Sequence, residues 1–103
     1  MAGHLLSGGY KDAAASIAGA VLENGLRTIA KGAGVSVKSR EDISSLNHKC
    51  AAADVYSRLV QKKLQVWADV RNSAAHGKFE EYQTADVRDM IAGIEAFLGE
   101  HVK

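Results

Sequence analysis

An all-α bundle of four helices is the fold this sequence predicts, and three observations predict it. The 103 residues contain no proline, which removes the strongest helix breaker and leaves glycine and short polar clusters as the only punctuation. Hydrophobic residues make up 47% of the chain, with alanine prominent among them. Apolar positions recur at spacings of three and four in four separate stretches. Folding a chain of this length hides roughly 65% of its unfolded surface, enough for one core. We therefore expect a single helical domain over residues 10–103, preceded by a flexible segment over 1–9 that is either a natural terminus or the edge of a larger protein.

The first helix is expected from Tyr10 to Lys31, with Ile17, Val21, Leu22 and Ile29 in its stripe. Its small residues, Ala13, Ala14, Ala15, Ala18, Gly19 and Ala20, let a neighbour approach closely, and Glu23 with Arg27 makes a favourable i, i+4 pair. Glycines in KGAGVSVKS, residues 31–39, end it with a left-handed cap. Ser39 followed by Asp42 has the spacing of a capping box and opens a short second helix through Ile43, Leu46 and Cys50. Asp54 or Ser57 caps the third, whose apolar positions are Leu59, Val60, Leu64, Trp67, Val70 and Ala74. His76 falls in its last turn and Gly77 at its C-terminal cap. Thr84 begins the fourth, where Val87, Met90, Ile91, Ile94, Phe97, Leu98 and Val102 form the clearest amphipathic stripe. Short connections between the four imply an up-and-down bundle.

The formal net charge of +1 gives no bulk basic field, so any nucleic-acid contact has to come from a local patch. Cys50, the only cysteine, excludes an internal disulfide and fits a reducing compartment. Residues 1–10 lack the basic start and apolar run of a secretory leader, and no stretch approaches ~18 apolar residues, so a cytoplasmic protein without membrane contact is expected.

Two apparent motifs carry little chemistry. GAGVS at 32–36 lacks the third glycine of a dinucleotide loop, follows a helix and has no adjacent Gly-Lys-Ser/Thr, so it reads as a helix-ending loop. His48 and Cys50, two apart on a helix, point about 200° apart and cannot close on one metal ion. The stretch WADVRNSAAHGKF, residues 67–79, is different, because Arg71, Asn72 and His76 stand beside Trp67 at the end of an apolar helix. Five helical residues turn the chain by about 500°, so Arg71 and His76 diverge by about 140° and are more easily joined across a two-fold axis than within one chain. The residues themselves also admit a structural reading. In it Arg71 pairs with a carboxylate, Asn72 satisfies backbone and His76 interacts with the helix dipole.

Arg71-Asn72-Ser73-Ala74-Ala75-His76 resembles the R-x4-6-H motif of HEPN-superfamily domains, in which a polar residue, often asparagine, follows the arginine. VLENGLR at 21–27, Leu46-Asn47, Trp67 four residues before the arginine, AHG at 75–77 and the closing FLGEHV at 97–102 also look like small bacterial HEPN proteins. The resemblance covers most of the chain from about Ala14 onward.

It implies a helical bundle that forms a homodimer through its motif-bearing helices and, as in many members, a metal-independent endoribonuclease without a cofactor. Arg71 would then stabilise the phosphate, His76 act as general base or acid, and Asn72 orient the phosphate or the arginine. Ser73 and Lys78 would contact the RNA, with Glu23 and Arg27 as auxiliary residues. The implied partners are RNA and an antitoxin or regulatory protein, in a toxin-antitoxin, phage-defence or RNA-processing setting. Members modified by a nucleotidyltransferase carry a tyrosine two residues after the histidine. Here that position is Lys78, and the nearest tyrosine, Tyr82, is four residues further on. The alternative function is a non-catalytic dimerisation, ligand-binding or RNA-binding module of a larger defence protein.

Overall fold

The computed structural model describes residues 11–78 and 81–101. Among them are four helices and no strand: α1 (Lys11–Gly32), α2 (Ile43–Ala52), α3 (Arg58–Ala75) and α4 (Thr84–His101). The expectations placed on residues 1–9, on Tyr10 and on Val102 lie outside the described residues. No helix among the described residues is long and apolar enough to cross a membrane.

The helices form a bundle with α1 at its centre. α1 packs against each of the other three, whereas α3 and α4 touch each other only slightly. The reason is the row of small residues read from the sequence: Ala14, Ala15, Ala18 and Gly19 are all buried, and small side chains let three neighbours approach one backbone. Ile17 and Val21 were expected in the same stripe, but they lie at one edge of the buried arc and are 42% and 50% exposed. Leu59 of α3 is likewise exposed. The core is completed by Leu22, Leu26, Leu46, Leu64, Val87, Met90 and Phe97.

The helix ends depart from the sequence reading in two places. Asp42, not Ser39, is the N-cap of α2, because its Oδ1 accepts from the Ser45 N–H at 2.8 Å while its own backbone is extended. Ser57 caps α3. Asp54 instead serves the end of α2, in the left-handed conformation at φ 57°, which a short polar side chain tolerates better than most.

The corner joining α1 to α2 is closed by Glu41. Its carboxylate accepts from the Lys38 N–H at 2.9 Å, the Ser45 hydroxyl at 2.6 Å and the Lys49 ammonium at 2.8 Å. These donors hold its pKa down at about 2, the Lys38 N–H contributing most. Arg27 donates to the Lys38 and Glu41 carbonyl oxygens at 3.0 and 2.6 Å. The expected Glu23–Arg27 pair is not made, because two backbone acceptors fixed by the fold outcompete a solvated carboxylate one turn away. Nearby, the buried Asn47 donates to the Gln61 carbonyl at 2.9 Å and accepts from the Tyr56 hydroxyl at 2.6 Å, tying α2 to α3.

Candidate functional site

The end of α3 is built by its backbone. His76 is the C-cap (φ −98°, ψ 10°), and Gly77 follows at φ 72°, a conformation that costs glycine nothing. The Gly77 N–H then donates to the Ala74 carbonyl at 3.3 Å and the Lys78 N–H to the Ser73 carbonyl at 2.8 Å. This pair of bonds is a Schellman motif, and it fixes where the chain leaves the helix just beyond His76.

Arg71 is half-buried, and the stem of its side chain lies across Gly19 of α1, so closely that a Cβ there would overlap it. The absence of a side chain at Gly19 is thus what admits the arginine. Arg71 and Asn72 share a narrow crevice with Asp42, Ile43 and Ser44 at the start of α2 and with Ala68. His76 and Lys78 are exposed and are not among the residues lining that crevice. Arg71 and Asn72 are therefore brought together, and His76 stands apart, as the 140° divergence requires.

Of the structural alternative for this cluster, the Arg71 and Asn72 pairings are not made among the described residues, whereas His76 does stand at the helix C-terminus, where the dipole acts on it. Lys49–Glu41 is the ion pair among the described residues, so Arg71 has no carboxylate partner there. The side chains of Arg71, Asn72, His76 and Lys78 make no hydrogen bond to a described residue. Ser73 differs, since its hydroxyl donates to Glu81 Oε2 at 3.0 Å. Of the two auxiliary residues, Arg27 is committed to the α1–α2 loop, while Glu23 lies one helical turn beyond Gly19 and is half-buried.

Among the described residues no group of three or more His, Cys, Asp or Glu side chains is placed to hold a metal. His48 is exposed and Cys50 buried, on diverging faces of α2, and burial pushes the Cys50 thiol pKa up, keeping it protonated and unreactive. Tyr82 is 2% exposed, so it offers no accessible hydroxyl in place of the tyrosine that Lys78 replaces. Burial, followed by the nearby Asp12 carboxylate, raises its pKa.

Sequence reasoning missed the role of Gly19 as the seat of Arg71. The signal was present only as a glycine among alanines, and nothing local says which neighbour needs the space. No family model matches the chain, and no curated protein and no solved structure matches it either.

Proposed function

We propose that the protein is a metal-independent endoribonuclease of the HEPN type, acting as a homodimer in which each chain contributes Arg71, Asn72 and His76. The observation that supports this most is that these three side chains have no hydrogen-bond or ion-pair partner among the described residues, at a helix end fixed by its cap.

The chemistry requires little more. In RNA the 2′-oxygen attacks the adjacent phosphorus, forming the O2′–P bond as the P–O5′ bond breaks. A neutral His76 accepts the 2′-hydroxyl proton, and a protonated His76 from the second chain returns a proton to the leaving 5′-oxygen. Arg71 stabilises the charge that builds on the non-bridging phosphate oxygens, and its seat on Gly19 holds it in place beforehand. Asn72, in the same crevice, orients the phosphate or the guanidinium. Lys78 binds the backbone beyond the scissile bond. Ser73 is given over to Glu81 in the single chain and joins the substrate only by exchanging that bond. An RNA-processing, toxin or defence setting fits such an enzyme, and a regulatory protein partner belongs to that setting.

RNA cleavage by the purified protein in EDTA tests this reading. Arg71→Ala and His76→Ala should each lower the rate by at least about 100-fold. The wild type should leave 2′,3′-cyclic phosphate and 5′-hydroxyl ends and should sediment as a dimer. Cleavage that survives both substitutions, or a strict monomer with full activity, would overturn it. Binding of RNA without any cleavage would favour the non-catalytic module.

A further inference from the structure

α3 carries a second organised feature, remote from its capped end. A groove of about 500 Å³ between α2 and the first half of α3 is lined by His48, Arg58, Gln61, Lys62 and Gln65, with Ala51 and Ala52 as its apolar wall. It contains no carboxylate. Arg58, Lys62 and His48 are exposed, and their side chains have no hydrogen-bond or ion-pair partner among the described residues. Further along α3, on an adjoining face, a crevice of about 330 Å³ is lined by Asp69, Glu81 and Asp86 together with Val66, Val70, Ser73 and Tyr82.

The groove is also continuous with the candidate site. At 100° per residue, Arg58, Lys62, Gln65, Asp69, Asn72 and His76 fall within an arc of about 80° on α3 and its cap. Gln65, which lines the groove, donates to Ser44 Oγ at 3.2 Å, and Ser44 lines the crevice that holds Arg71 and Asn72. The one carboxylate in this row, Asp69, accepts from Gln65 Nε2 at 3.0 Å. From Arg58 to Asn72 the rise is about 21 Å, or about six nucleotides of stacked strand.

We propose that the α2–α3 groove is a phosphate-binding subsite for single-stranded RNA. In it Arg58 and Lys62 hold the backbone about six nucleotides from the strand's contact with Asn72. The inference rests on the RNA-cleaving reading for the identity of the polyanion, and on the groove's own charge and continuity for its location. An acidic protein segment is the competing occupant. It is disfavoured because the row continues into an amide and an imidazole, Asn72 and His76, not into an apolar surface that a protein segment would cover.

The test measures binding of a labelled 12-nucleotide RNA against salt concentration, with His76→Ala as the background so that the strand stays intact. Arg58→Gln with Lys62→Gln should lower the slope of log affinity against log salt by about 1.4, since each phosphate contact on a single strand contributes about 0.7. Lys63→Gln removes the same charge from another face of α3 and should lower the slope by less than half as much as Lys62→Gln alone. An unchanged slope in the double variant, an equal effect at Lys63, or tighter binding of a glutamate-rich peptide than of RNA through the same two residues overturns the proposal. Cleavage of a dinucleotide, too short to reach Arg58, by the protein with His76 intact judges the catalytic reading separately. A lowered slope without any cleavage leaves the subsite standing and removes the enzyme. Cleavage with an unchanged slope does the opposite, and a wild type that binds no RNA ends both.

Discussion

The two ends of the α2–α3 pair use polar residues in opposite ways. At the start of α2 the Glu41 side chain is consumed within the fold: three donors converge on one carboxylate, and Arg27 closes the ring through backbone oxygens. At the end of α3, Arg71, Asn72 and His76 are held in place by packing and capping, but their side chains bond to nothing described. The first pattern stabilises a loop. The second leaves donors available for something outside the chain, with water in their place until then. Residue type does not separate the two, since both contain an arginine; the difference lies in whether the fold supplies acceptors.

That contrast breaks first, and with the largest effect, at Gly19→Ala. The added Cβ overlaps the Arg71 stem, so the guanidinium must move while the helix itself gains a better helix former. On the proposed reading, RNA cleavage should fall by about 10- to 100-fold, with far-ultraviolet circular dichroism unchanged. Full activity in this variant would mean that the seat of Arg71 is incidental. On the structural side, Asn47→Ala removes a second donor from the Gln61 carbonyl and the closest acceptor of the Tyr56 hydroxyl and should cost about 1–3 kcal/mol in urea unfolding. On the proposed reading, the fraction that stays folded should cleave RNA normally.

Acid provides a graded version of the same comparison. Glu41 titrates at about 2 in the folded chain against an ordinary 4.5. Its contribution to stability is therefore complete above pH ~4.5 and is lost progressively as the pH falls toward 2. Glu41→Gln should flatten that part of the stability profile, read as urea unfolding at a series of pH values. The smallest effect is expected at Tyr82→Phe. The Tyr82 hydroxyl is buried without a partner among the described residues, so its removal should leave stability unchanged or raise it by up to about 1 kcal/mol. A marked loss would show that the hydroxyl does have a partner.

Much of the architecture was legible in the chain. Absence of proline and the spacing of Leu64, Val70 and Ala74 or of Val87, Met90, Ile94 and Phe97 determined helices, because burying one face of a helix needs a repeat near 3.6 residues. Gly34 and Gly77 determined two helix ends, because positive φ is nearly free only for glycine. The row Arg71, Asn72 and His76 was visible as well, together with the angle that keeps its two ends apart. What only the tertiary structure decided is which neighbour each polar group meets. Arg27 was placed by local periodicity beside Glu23, yet it bonds to a loop eleven to fourteen residues away. Ser39 lost its capping role to Asp42, and Ile17 and Val21 lost their places in the core. Arg71 lies on Gly19, 52 positions earlier in the chain, and Arg58 and Lys62 acquire a groove only because α2 folds back beside them. Periodicity is a property of neighbours in sequence, whereas the partners of an arginine or a lysine are set by the packing of whole helices.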